Sequence, residues 1–156
     1  MAIPAHWRTD LEQSVRNALA EDIQTGDITA ELIPAGDIMQ AHVITREDAV
    51  ICGVDWVNET FAQLDNTVEI TWYCQDGDKV TANSRLFSLK GAARSLLTGE
   101  RTALNFLQLL SGIATRCAEY AAIVKGTGVT LLDTRKTIPG LRTAQKYAVS
   151  CGGCAN

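Results

Sequence analysis

Residues 129–153 read VTLLDTRKTIPGLRTAQKYAVSCGG. A short run of β-type residues, VTLLD (129–133), passes into the polar loop TRKTI (134–138). Pro139 then stands as a first-turn helical residue, where its fixed φ fits and its missing N–H is not needed. Leu141, Tyr147 and Val149 supply the apolar face of the helix that follows. Strand, loop and helix in this order form one βα unit of a parallel sheet or barrel. In such folds ligands meet the carboxyl ends of the strands, because the βα loops converge there. Asp133, Thr134, Arg135, Lys136 and Thr137 occupy that place. With Arg142 and Lys146 the segment holds four basic residues against Asp133 alone, a net +3. Two loop cations, two hydroxyls and the unpaired N–H groups of the next helix suit carboxylate or phosphate groups. The alternative is a solvated basic loop; position behind a strand is what favours binding.

Upstream, ALNFLQLLSGIAT (103–115) is apolar almost all round, which predicts a helix buried between two layers. It is expected to open at residues 98–102, TGERT, where Glu100 suits the positive end of the helix dipole and Arg101 does not. Arg101 therefore pairs with Glu100 or another carboxylate, or reaches a ligand or partner. Helical spacing resumes through Ala118, Ala121, Ala122 and Val124 and stops at Gly126 and Gly128.

Towards the N-terminus, Thr9 and Glu12 have capping-box spacing, and Leu11, Val15, Ala18 and Leu19 share a helical face ending near Asp22. Residues 21–37 read as an irregular connector whose carboxylates accept backbone N–H bonds; Glu21, Asp22, Asp27 and Thr29 look like a metal site only superficially. Met39, Ala41, Val43 and Thr45 alternate as a strand, AVIC (49–52) makes a second, and Val54, Val57, Phe61 and Leu64 are helically spaced. Val68, Ile70 and Trp72 return to strand, followed by a tight turn at Asp76-Gly77-Asp78-Lys79. The run from residue 76 to 91 has the spacing of half a biotinyl or lipoyl carrier hammerhead. Neither Lys79 nor Lys90 sits at a hairpin tip between apolar neighbours, so it reads as scaffold.

A chain of 156 residues with 46% hydrophobic and 21% charged residues, 12 Gly and 3 Pro is globular and neither disordered nor collagenous. No uncharged run reaches the ~18 to 20 residues of a membrane span, and residues 1–10 lack signal-peptide character, so a cytoplasmic location is expected. The net charge of -4 is uneven. Up to Asn66 there are 3 basic and 12 acidic residues, a net -9; beyond it 11 and 6 give +5, so an anionic ligand belongs to the second half. Phosphate-loop and dinucleotide fingerprints are absent, and basic residues are not interleaved with aromatics as nucleic-acid binding requires. Cys151 and Cys154 form a C-x-x-C, but Cys52, Cys74, Cys117, His6 and His42 offer no second pair at ligand spacing. Reduced thiols and no metal are expected.

Three stretches then combine: Glu21-Asp22 with Gly26-Asp27-Ile28-Thr29, GAARSLLTGERTALNFLQLLSGIAT (91–115), and DTRKTIPGLRTAQKYAVSCGG (133–153). Together they resemble the quinolinate phosphoribosyltransferase family over nearly the whole chain. The resemblance implies an α/β fold: an N-terminal α/β sandwich domain, hammerhead-like, over residues 1–110, followed by the start of an α/β barrel over residues 111–156. It implies phosphoribosyl transfer from phosphoribosyl pyrophosphate (PRPP) to quinolinate with decarboxylation, giving nicotinate mononucleotide for NAD biosynthesis. Arg135 and Lys136 match residues holding quinolinate carboxylates and the phosphoribosyl donor, with Thr134 and Thr137 beside them. Arg101 matches an arginine that reaches the neighbouring subunit's site in a homodimer. The resemblance further implies Mg²⁺ bound with PRPP, its ligands falling beyond residue 156 with a His-Arg pair and most of the barrel. As given, the chain is therefore expected to be an inactive fragment; a non-catalytic binding or assembly module is the alternative. Cys154 departs from the family by standing where a third glycine is usual.

Overall fold

The computed structural model describes residues 3–24 and 26–156, excluding the side chains of Ile28 and Thr29; the Thr29 part of the connector reading thus lies outside the described residues. A 3₁₀ turn over Ala5–Trp7 leads into α1 (Arg8–Ile23) and α2 (Ile28–Glu31). Then come β1 (Ile38–Ile44), β2 (Ala49–Val50), α3 (Val54–Leu64), β3 (Glu69–Trp72), β4 (Lys79–Val80) and β5 (Arg85–Ala92). The chain closes with α4 (Ala93–Val124) and α5 (Arg142–Cys151).

The strands form an antiparallel sheet in the order β1-β5-β3 and a short β2-β4 ladder. Period-two alternation turns Met39, Ala41 and Val43 inward on β1, opposite Gly91, Leu89 and Phe87 of β5. Ile70 and Trp72 of β3 meet the same Leu89 and Phe87, and the Trp72 and Phe87 rings stack at 4.4 Å between centroids. One wall of the core is thus fixed by the register of three strands.

α4 is the layer between two cores. Leu96, Ala103 and Leu107 pack with Val57, Phe61, Phe87 and Leu89 on the sheet side. Phe106, Leu110 and Ala114 pack with Leu11, Val15, Trp56 and Tyr147 on the other side. Its hydroxyls also hold β2 and the residues after it: Thr115 accepts from the Val50 N–H and the buried Ser111 from the Cys52 N–H, at 2.9 and 3.0 Å. The helix is one piece of 32 residues, not the two expected, and begins at Ala93 instead of Thr98. Gly99 looks like a boundary in sequence but is internal. A Cβ there would lie 2.5 Å from the Phe61 ring, so its smallness serves the approach of α3 to α4. Arg101 consequently sits more than two turns into the helix, and the dipole conflict inferred for it does not arise.

Asp76, in the turn before β4, links the sheet to the helices. Its carboxylate accepts the N–H groups of Gly53 and Val54 at the start of α3, at 2.8 and 3.0 Å, and the Tyr147 hydroxyl of α5 at 2.8 Å. Burial pushes its carboxyl above the usual carboxylate range despite these donors. One acidic side chain thereby caps α3 and anchors α5.

Three local expectations give way to competing geometry. Thr9 does not cap α1, because the 3₁₀ turn closed by Trp7 N–H to the Pro4 carbonyl (2.9 Å) runs straight into the helix. VTLLD pairs only at Leu132, in a parallel bridge to Ala155. The Ala155 N–H donates to the Leu131 carbonyl and the Asp133 N–H to the Ala155 carbonyl, both at 2.9 Å, so one residue supplies the whole ladder. Pro139 precedes α5 instead of opening it. Leu141 N–H returns to the Ile138 carbonyl at 3.1 Å with Gly140 at φ +82°, the Pro-Gly pattern of a type II turn.

Candidate active site

The parallel bridge and α5 bring the polar loop to the mouth of a cavity of about 360 Å³. Ile113, Cys117 and Tyr120 of α4 form one wall; Gln145, Lys146 and Val149 of α5 form another. Leu131, Leu132, Asp133, Thr134, Lys136, Thr137 and Cys154 complete the lining. A mostly apolar lining with a few polar and basic groups suits a small anion. The lining on α5 starts at Gln145, so the N-terminal amides of that helix, expected to contribute, lie outside it.

The loop is shaped by its own side chains. Thr134 Oγ1 accepts the Lys136 N–H at 3.2 Å, and Gln145 Oε1 accepts the Ile138 N–H at 2.7 Å. Arg142 reaches back to the Arg135 carbonyl at 3.4 Å and the Thr137 hydroxyl at 3.5 Å. Arg135 and Lys136 are both exposed and, among the described residues, make no ion pair. Thr134, Lys136 and Thr137 thus meet at the cavity, whereas Arg135, between two lining residues, is outside the lining.

Sequence reasoning missed the pair beneath the loop. The Lys146 ammonium donates to the Asp133 carboxylate, with side chains 25% and 12% exposed. With its amide oriented to satisfy both ends, Asn156 donates to Asp133 at 2.9 Å and to the Lys146 carbonyl at 3.1 Å, and accepts from Ser150 at 2.6 Å. These contacts fix where the loop leaves Asp133. The spacing of Lys146 and Val149 on one face of α5 was the available signal.

Arg101 lies outside this cavity lining. Its Nε donates to Asp22 at 3.0 and 3.1 Å and its terminal nitrogen to Asp27 at 2.8 Å. Asp27 also accepts from the Thr98 hydroxyl at 2.9 Å and the Ala30 N–H at 3.2 Å, which realises both the ion-pair and the backbone-acceptor readings of these residues. The guanidinium beside it holds the Asp27 carboxyl down at about 2, from 3.8. Since the folded value lies below the unfolded one, this stabilisation is complete above about pH 4 and is lost as pH falls towards 2. Thermal melts of wild type and Asp27→Asn are therefore expected to differ at neutral pH and to converge at the acid end. A gap that stays constant contradicts the assignment.

A small sandwich domain joined to the first βα unit of a parallel barrel, with a cationic loop behind the strand, defines the class of chain. The description of the quinolinate phosphoribosyl transferase N-terminal domain matches residues 27–111, and that of the C-terminal domain matches residues 113–156. The chain belongs to the quinolinate phosphoribosyltransferase family. A nicotinate-nucleotide pyrophosphorylase [carboxylating] of Mycobacterium leprae is 40% identical over 149 residues, covering 92% of this chain and 52% of the relative. A mitochondrial quinolinate phosphoribosyltransferase [decarboxylating] 2b of Nicotiana tabacum is 39% identical over 155 residues, covering 98% and 44%. The solved nicotinate-nucleotide pyrophosphorylase from Francisella tularensis superposes with a TM-score of 0.93 at 50% identity, covering 99% of this chain and 55% of that one. The chain spans about half the length of the curated relatives it matches.

Proposed function

We propose that these residues are the first part of an enzyme that transfers the phosphoribosyl group of PRPP to the quinolinate nitrogen, releasing pyrophosphate and carbon dioxide and forming nicotinate mononucleotide. The observation that carries this reading is that three of the four residues of the family's T-R-K-T loop (134–137) line one cavity. Quinolinate brings two carboxylates, for which Arg135 offers a planar fork and Lys136 a point charge. Breaking the ribosyl bond separates an oxocarbenium-like carbon from an anionic leaving group, and fixed cations favour that separation. Once alkylated, the ring nitrogen carries the positive charge that accepts the electrons left by the departing carboxyl group. Thr134 and Thr137 add hydroxyl donors to the same cavity lining.

The described residues offer no set that fits a resident Mg²⁺. Asp133 is the one carboxylate in the lining and is held by Lys146, and among the described residues no group of three His, Cys, Asp or Glu converges. The reading therefore puts the metal's ligands outside residues 1–156, with PRPP. It also includes the division into residues 1–110 and 111–156, with α4 shared between them, and a homodimer in which Arg101 enters the partner's site. A cytoplasmic location belongs to the same reading. Among the described residues no helix is long and apolar enough to cross a membrane, and the tobacco relative is named mitochondrial, so cell fractionation decides the location.

The test is product formation by the protein expressed from its complete reading frame with quinolinate, PRPP and Mg²⁺. Nicotinate mononucleotide and carbon dioxide are expected in equal amounts, with no turnover from residues 1–156 alone. Absence of that product from the complete protein overturns the reading.

A further inference from the structure

The C-x-x-C of residues 151–154 is divided by the fold. Cys151 is buried at the end of α5, in the same core cluster as the fully buried Cys52. Cys154 turns the other way, towards Cys117 of α4. Its Sγ lies 3.6 Å from the Cys117 carbonyl oxygen, against the backbone of the residue that carries the second thiol. The backbone leading to Cys154 is pressed on the same residue, since a Cβ built at Gly152 would fall 2.4 Å from the Cys117 Cβ. Both cysteines are half-buried, both are reduced, and both line the cavity.

We propose that Cys117 and Cys154 are an oxidation site, a thiol pair in the cavity wall that closes to a disulfide with a small disulfide such as oxidised glutathione. The Cys154 thiolate attacks one glutathione sulfur and expels glutathione thiolate. Cys117 then loses its proton and displaces the second glutathione from Cys154. Two thiols become one protein disulfide, and two electrons and two protons leave in two reduced glutathiones. Burial and the neighbouring Cys154 push the Cys117 thiol up, which lowers its thiolate fraction and makes the resolving step the slower of the two. The bond ties the α4 wall to the segment whose Ala155 pairs with Leu131 and Asp133. The site stands independently of the proposed enzymatic activity.

The protein is equilibrated with oxidised glutathione, alkylated under denaturing conditions, digested with trypsin and mapped by mass spectrometry. The expected result is a linked species joining the peptide of residues 117–125 to the peptide beginning at Tyr147, with fragment ions placing the bond at Cys154. Alkylation is then lost at Cys117 and Cys154 and kept at Cys52, Cys74 and Cys151. Cys154→Ser, checked for an unchanged melting temperature, abolishes the link. A bond between Cys151 and Cys154, or glutathione accumulating on Cys154 while Cys117 stays free, or alkylation of all five thiols, overturns the proposal.

Discussion

In the complete enzyme, Arg101→Ala and Lys136→Ala are each expected to lose activity by roughly a hundredfold or more, the loss seen when one charge-stabilising donor is removed from a reacting centre. An exchanged equal mixture of the two inactive proteins is expected to recover about a quarter of wild-type activity, because half the dimers are mixed and each mixed dimer restores one of its two sites. Within one chain Arg101 is not part of the cavity that Lys136 lines. Asp22 and Asp27 grip its guanidinium from one side while 42% of the side chain stays exposed, an arrangement that aims a cation outward. On the proposed reading both carboxylates position an arginine that acts in the partner's site. If mass spectrometry confirms mixed dimers and no activity returns, Arg101 is not donated between subunits.

Gly152→Ala is expected to be the most damaging small substitution in the chain. The new methyl would stand 2.4 Å from the Ala114 carbonyl oxygen and 2.4 Å from the Cys117 Cβ. Both neighbours belong to the backbone or first side-chain atom of α4 and cannot swing away. Gly152 has φ -80°, which any residue adopts, so the effect isolates packing from backbone strain. Overpacking of this severity costs about 3 kcal/mol, which lowers the melting temperature of a chain this size by roughly 6 to 12 °C. Gly112→Ala, on the exposed side of α4 with nothing within 4 Å of the new Cβ, is the control. There alanine stabilises the helix by up to about 1 kcal/mol. A Gly152→Ala protein that melts with wild type would mean that α4 and α5 are not in this contact.

Features that repeat along the chain were legible in it. The alternation of β1 and β3, the Leu11, Val15 and Leu19 stripe of α1 and the two-sided burial of α4 all follow from residue spacing. Glycine and proline misled where they serve packing or turns: Gly99 marks close contact with Phe61 and not a helix start, and Pro139-Gly140 makes a turn ahead of α5. Strand character in residues 129–133 needs neighbours to be realised, and Ala155 alone provides pairing. At the site, the loop 134–137 could be found because its place behind a strand has a local signature. The partners of Arg101 could not be assigned by spacing, since Asp22 and Asp27 lie 79 and 74 residues away in sequence. Nor could the separation of Cys151 from Cys154, which depends on where α5 ends against α4.

Titration calorimetry of quinolinate into the complete protein and its Arg135→Ala variant tests the assignment of the loop to quinolinate. A charge-assisted pair contributes roughly 1.5 to 3 kcal/mol, so the variant is expected to bind roughly ten- to a hundredfold more weakly, with its melting temperature unchanged because the exposed guanidinium supports nothing in the fold. Equal quinolinate affinity in wild type and Arg135→Ala contradicts the account.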